Sequence, residues 1–209
     1  MTLGSGAMTN PISDITNDVD VIMLVGSNPE EAHPVIGMQI RQAVERGTRL
    51  IVVDPRDIGL SRQADIHLKL KPGTNVAFAN GMMNVIIHEG LADEEFIRTR
   101  TEGFEELKKI VEGYTPERVA EICHIDADHL REAALMYAKA KKAPIIYCLG
   151  VTEHSTGTEV DTVTDTAGRR HTDLQCVHEI FIGRIGFLIA CCQCSFLRLE
   201  TLSLVDGVI

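Results

Sequence analysis

The sequence predicts an α/β fold with a mostly parallel sheet covered by helices. Three observations carry that prediction. Short apolar runs at Val21–Gly26 (VIMLVG), Leu50–Val53 (LIVV) and Ile145–Cys148 (IIYC) each stop at a polar loop bearing Gly, Asn or Asp. A helical pattern joins the first two within about thirty residues, the spacing of a strand–helix–strand unit with parallel strands. A long stretch of helical periodicity separates the second run from the last. Together they describe a Rossmann-like αβα sandwich with a helix-rich insertion.

Each element has its own signal. Val21–Gly26 is nearly continuous in apolar residues and bounded by turn residues, which suits a strand buried on both faces. Pro34 takes a first helical position, and Val35, Met38, Ile40 and Val44 follow at helical spacing up to Gly47. Leu50–Val53 is the second strand and ends in Asp54-Pro55-Arg56; Ile66–Leu70 is a third. Lys71-Pro72-Gly73-Thr74-Asn75 is a turn. Val76–His88 then reads as a helix with a small, apolar face: Ala77, Ala79, Gly81, Met82, Val85 and Ile86. Asp93–Thr99, Gly103–Val111 and Pro116–Cys123 are short helices, the last with Thr115 as cap and Pro116 at its first position. Asp126–Lys142 is longer. Asp126 caps it, and Lys139, Lys141 and Lys142 suit the negative end of its dipole. Ala143-Pro144 stops it before the strand Ile145–Cys148, which ends in Leu149-Gly150-Val151-Thr152-Glu153-His154.

Composition narrows the function. With 209 residues and 44% hydrophobic content the chain can build a sizeable core. Its net charge of −10 and its lack of Trp argue against a nucleic-acid partner, which calls for basic patches or stacking platforms. A phosphate group is still compatible, because a few backbone N–H groups bind one locally. The start MTLGSGAMTN has neither a basic segment nor an apolar one, so a cytoplasmic location is expected. Of six Cys, Cys176, Cys191, Cys192 and Cys194 crowd the end; Cys191-Cys192-Gln193-Cys194 lacks the second ligand set that a four-ligand zinc or iron–sulfur site needs. The run Ile180–Leu197 is long and apolar, but Arg184, Gln193 and its glycines argue against a membrane span.

The loops carry the chemistry. In an open parallel sheet, ligands bind outside the carboxyl ends of the strands, where GSNPEE, DPR and LGVTEH all lie. GSNPEE puts Gly26, Ser27, Asn28 and Glu31 at a strand-to-helix turn. Asn28 stands where the dinucleotide fingerprint has its second glycine, so either its amide contacts a ligand or Ser27 or Asn28 simply caps the helix. Asp54 ends the second strand, where an acid grips a ribose or a guanine edge, though 28 residues after Gly26 is later than the usual interval of about twenty. Arg56 can meet a phosphate, or pair with Asp54 or Asp57. Lys71, Gly73 and Asn75 form either an anion site or a bare turn. Glu153 and His154 make either an acid/base pair or a solvated loop.

Taken together, GSGAMTNPISDI, LVGSNPEEAHPV, LIVVDPR, LKPGTNVAFANGM, RTEGFEELKKIVEGYTPE and GVTEHSTGTE resemble the formate dehydrogenase branch of the molybdopterin oxidoreductase family, in order and spacing over about residues 4–159. The resemblance implies a domain over 1–159 that holds one guanine dinucleotide of a bis-molybdopterin guanine dinucleotide cofactor carrying Mo or W, in an enzyme oxidising formate to carbon dioxide. It implies that Gly26, Ser27, Asn28 and Glu31 face the dinucleotide. Asp54 and Arg56 would contact its guanosine end, Gly73 and Asn75 would form a further cofactor loop, and Leu149, Gly150 and Glu153 another. Ala32 departs from relatives that carry a hydroxyl there.

The resemblance also implies a 4Fe-4S cluster whose Cys motif this sequence does not contain, and a metal-ligating Cys or selenocysteine just upstream of GSGAM. No catalytic or metal-ligating residue is therefore expected within the chain, and the chain alone is expected to be inactive. The implied partners are the remaining domains of the same enzyme and an electron-acceptor subunit served by ferredoxin, NAD or a hydrogenase module. Residues 160–209 match nothing in the family pattern and are expected to be a foreign or frame-shifted tail; all seven Lys lie at or before Lys142. Two other readings stand beside this one. One is a non-catalytic nucleotide-binding or truncated module. The other is the central domain of a thiamine-diphosphate enzyme, which has no place for RTEGFEELKKIVEGY.

Overall fold

The computed structural model describes residues 12–100, 103–153 and 189–191. Its centre is a parallel sheet with strands β1 (Val21–Val25), β2 (Arg49–Val53), β3 (Ile66–Leu68), β4 (Ile145–Tyr147) and β5 (Ile189–Cys191), in the order β3-β2-β1-β4-β5. β1 is central. It pairs with β2 in the register Val21↔Arg49 to Val25↔Val53 and with β4 from Met23↔Ile145 to Val25↔Tyr147. All five residues of β1 are buried, as expected for a strand covered on both faces. β5 comes from the tail and pairs alongside β4. The rest of the run 180–197, and of the tail from 160 onward, lies outside the described residues.

Alternation along the strands sorts side chains into two cores. Ile22, Leu24, Leu50, Val52 and Ile146 face one side with Ile40 and Ala43 of helix α3 (Pro34–Glu45) and with Leu60 of a 3-10 turn at Gly59–Arg62. A short helix α1 (Ile12–Thr16) lies against α3. Val21, Met23, Val25, Ile51, Val53, Ile145 and Tyr147 face the other side, against a helical layer. Burying each such aliphatic side chain stabilises the fold by about 1.5–3 kcal/mol.

That second layer is the expected insertion. It comprises α4 (Asn75–His88), α5 (Glu94–Arg100), α6 (Phe104–Glu112), α7 (Pro116–Cys123) and α8 (Ala127–Lys139). Thr115 caps α7 by accepting from the Arg118 N–H at 3.4 Å, and Asp126 caps α8 by accepting from Asp128 and His129. α4 departs from expectation. Rather than burying one face, it is buried all round from Ala77 to Ile86, because α6, α7 and α8 pack around it. Gly81 explains the close fit: a Cβ there would lie 2.9 Å from Val119 Cγ2 and 3.1 Å from Leu130 Cδ2. Asn84, inside this layer, donates to the Val111 carbonyl at 3.0 Å and ties α4 to the end of α6.

α8 ends at Lys139, three residues before the expected stop. Lys141 and Lys142 therefore do not belong to its last turn. Their backbone N–H groups donate to Asp20 Oδ2 at 2.8 and 3.0 Å, while the Lys142 carbonyl accepts from the Asp20 N–H at 2.9 Å. This exchange ties the lead-in to β4 to the lead-in to β1 and sets their pairing.

Candidate cofactor site

The strand order fixes where a ligand can sit. From β1 the chain steps outward to β2 and β3, then returns through α4–α8 to β4 on the opposite side of β1. The loops leaving β1 and β4 thus diverge, and a crevice opens between them at the carboxyl ends. A cleft of about 400 Å³ occupies that position, walled by the loops after β1, β2, β3 and β4. Its size is that of a small-molecule site.

The loop after β1 begins at Gly26, whose N–H donates to the Val53 carbonyl at 2.8 Å. Gly26 has a left-handed φ of +51°, which favours glycine. Its carbonyl accepts from the Gly150 N–H at 3.1 Å, and the two backbones are in direct contact. A Cβ on Gly26 would lie 2.6 Å from Gly150 C, and one on Gly150 would lie 2.5 Å from Gly26 O. Asn75 Nδ2 donates to the Gly150 carbonyl at 3.4 Å. The peptide of Gly150 therefore joins three loops and sets the width of the cleft.

Ser27 is buried, and Asn28 leads into a one-turn helix α2 (Pro29–Ala32). Asn28 does not cap that helix with its side chain. Its Oδ1 is buried and, among the described residues, has no hydrogen-bond partner. Leaving a buried acceptor unpaired costs about 1–3 kcal/mol, which a ligand donor would recover. Glu31 and Ala32 are exposed on the same wall.

Asp54 is only 3% exposed and is fully engaged with its own loop. Its Oδ1 accepts from the Arg56 N–H at 2.9 Å and from Nε at 3.1 Å, and its Oδ2 accepts from Nη2 at 3.3 Å. Those bonds and the carboxylate charge, with a smaller effect from Glu31, push the Arg56 guanidinium above its ordinary value and keep it charged. Of the partners open to Arg56, the structure selects Asp54, and the guanidinium remains 64% exposed at the cleft. His67 braces this loop from β3: its Nε2 lies 3.0 Å from the Asp54 carbonyl and its Nδ1 3.8 Å from Asp57 Oδ1.

The loop after β3 is a type II turn. Thr74 N–H donates to the Lys71 carbonyl at 3.3 Å, with Pro72 and Gly73 at the central positions and Gly73 at φ +87°. Gly73, Asn75 and Lys71 all line the cleft. After β4, Cys148, Leu149 and Gly150 complete the wall. The expected loop here is a single turn of helix, α9 (Leu149–Thr152), closed by the Glu153 N–H donating to the Leu149 carbonyl at 2.9 Å.

Every expected contact residue except Glu153 lines this one cleft; Glu153 is exposed and only ends α9. His154 and the GSGAM segment lie outside the described residues. Sequence reasoning missed Val53, Pro55, Leu70, Pro72 and Cys148. Their signal was position alone: each ends a strand or adjoins a named loop residue. Among the described residues no group of three or more His, Cys, Asp or Glu is placed to hold a metal, and no helix is long and apolar enough to cross a membrane.

Known proteins share this segment. F420-dependent formate dehydrogenase 2 subunit alpha of Methanococcus maripaludis is 51% identical over 156 residues, covering 75% of this chain and 23% of the relative. Formate dehydrogenase H of Escherichia coli is 47% identical over 158 residues, covering 76% and 22%. Acetylene hydratase from Pelobacter acetylenicus has a similar structure, with a TM-score of 0.69 at 31% identity over 83% of this chain and 24% of that one. The chain spans about a quarter of the length of the curated relatives it matches. The profile described as "Molybdopterin oxidoreductase" matches residues 2–165, most of the chain. The chain belongs to the molybdopterin oxidoreductase family.

Proposed function

We propose that residues 12–153 hold the guanosine diphosphate end of one molybdopterin guanine dinucleotide, as part of a formate dehydrogenase-like enzyme. One observation carries this reading: residues from four loops far apart in sequence line one cleft at the point where the strand order reverses. The cleft's chemistry fits the group. Asn28 offers an unpaired buried acceptor to a base or ribose donor, and Arg56 offers a charged, exposed fork to a phosphate. Asp54 acts mainly as the buried anchor that aims Arg56, since Arg56 already donates three hydrogen bonds to its carboxylate. Gly26 and Gly150 bring two loops together at the base of the cleft, while Asn75 holds Gly150 from the third. Gly73 lets the turn after β3 close, and Ser27, Glu31 and Leu149 border the opening.

When bound, the cofactor would supply the metal-centred two-electron chemistry of formate oxidation, with Mo or W at its centre. In this reading the chain's own residues bind and orient, and none of them handles formate. The chain alone is therefore expected to be inactive toward formate. A metal ligand, a 4Fe-4S cluster, further domains and an electron-acceptor subunit would complete the enzyme. The relatives named F420-dependent add F420 to ferredoxin, NAD and a hydrogenase module as outlets. We read residues 160–209 as foreign to the family's sequence pattern, although Ile189–Cys191 adds a strand beside β4; sequencing the corresponding codons tests that, and a family-matching continuation in the same frame would contradict it.

Calorimetric titration tests the binding claim. GDP-mannose carries guanosine and a diphosphate diester, whereas ADP-ribose differs in its base. Tighter binding of GDP-mannose, weakened by Asn28→Ala and Arg56→Ala, is expected. Equal affinity for both, or binding of neither, would overturn the reading.

A further inference from the structure

We propose that Lys71 is a phosphate-contacting residue of this cleft and supplies, among the described residues, its one mobile positive charge. The inference rests on the proposed guanine dinucleotide reading and adds to it a residue and a role. Of the two cations among the described residues that line the cleft, Arg56 is locked to Asp54 by its side chain and its backbone. Among the described residues Lys71 forms no ion pair. Its charge is therefore left for a ligand, in a chain whose net charge is −10.

The backbone around Lys71 is fixed while its side chain is exposed. Its N–H donates to the Cys123 carbonyl at the end of α7, at 2.9 Å. Its carbonyl accepts twice from Thr74, from the N–H at 3.3 Å and from Oγ1 at 2.7 Å. The Pro72-Gly73 turn between them has little freedom. A lysine on such a mount keeps its Cα in place and spends only side-chain entropy in reaching an anion. Arg56 and Lys71 come from loops after adjacent strands, β2 and β3, so they approach the cleft from the same edge of the sheet. A rigid fork and a flexible point charge side by side suit the two phosphates of a diphosphate.

GDP-mannose, guanosine and inorganic pyrophosphate, titrated calorimetrically into the full 209-residue chain at low salt, separate the possibilities. Lys71→Ala should weaken GDP-mannose binding about tenfold, the loss of one charge-assisted contact. Guanosine, which has no phosphate, should bind the variant and the parent equally, a split that a merely structural role would not produce. Lys71→Arg should restore GDP-mannose affinity, and 1 M salt should erase the difference between Lys71→Ala and the parent. Unchanged GDP-mannose binding in Lys71→Ala, or an equal loss for guanosine, overturns the proposal. If the parent chain binds no GDP-mannose, the guanine dinucleotide reading falls, and pyrophosphate decides the role of Lys71 alone. Pyrophosphate binding that requires Lys71 supports it, and its absence refutes it.

Discussion

Replacing Gly150 with Ala probes the contact on which the cleft depends. The added Cβ would lie 2.5 Å from the Gly26 carbonyl oxygen and 2.7 Å from Gly26 Cα, both backbone atoms with no rotamer to escape into. The two loops must separate by several tenths of an ångström. That strain costs about 1–3 kcal/mol, and weakening the Gly150–Gly26 hydrogen bond costs about 0.5–1.5 kcal/mol more. Alanine's helical preference returns at most about 1 kcal/mol, and α9 is a single turn. The net expectation is a loss of about 1–3 kcal/mol. Gly26→Ala should lose roughly 1–2 kcal/mol beyond that, because its φ of +51° penalises any Cβ. Urea unfolding at pH 7, with constant slope, reads both values. A Gly150→Ala variant within about 0.5 kcal/mol of the parent would show that the loops do not touch as described, the size expected of a surface change.

Other perturbations reach different parts of the account. Gly81→Ala should destabilise by about 1–2 kcal/mol, since Val119 and Leu130 must yield to the new methyl; a stabilised variant would contradict the packing of α4 against α7 and α8. Asp54→Asn should cost about 1–2 kcal/mol, a range kept low because Arg56 is largely solvated, and should weaken GDP-mannose binding by freeing Arg56; intact affinity would contradict the anchoring role. Burial pushes the Cys123 thiol up, only partly offset by a hydrogen bond with the Thr74 side chain. The fold therefore favours the protonated thiol. That contribution is complete below the unfolded value of about 8.5 and is lost as pH rises through the folded one. Urea midpoints should fall above about pH 9 in the parent, and less steeply in Cys123→Ala; parallel curves would contradict this.

How much of this was legible depended on how local each cause is. β1 and β2 were readable because runs such as VIMLV and LIVV state their burial within five residues. The start of α7 was readable to the residue, because Thr115 and Pro116 mark it; its end, at Cys123, is set by a left-handed His124. The end of α8 was misread because the lysines resemble a helix terminus, whereas Asp20, more than a hundred positions away, captures the N–H groups of Lys141 and Lys142. The all-round burial of α4 was equally invisible, since periodicity cannot say how many neighbours a helix has. At the site, the loops were legible as strand ends, but the division of labour within them was not. That Asp54 serves Arg56, that Asn28 leaves an acceptor unpaired, and that Gly26 meets Gly150 are all facts of three-dimensional proximity. α1, the 3-10 turn and α9 were too short to carry a periodic signal.

A cleft that holds a pterin–guanine dinucleotide should retain it through purification. The most direct measurement is to produce the chain in a host that makes the molybdopterin guanine dinucleotide, purify it, and release bound material with acid. The pterin is then quantified by fluorescence and the nucleotide by chromatography. Pterin and guanosine monophosphate are expected in equal amounts, both reduced in Arg56→Ala. Protein that retains neither, or that carries another nucleotide base, would contradict it.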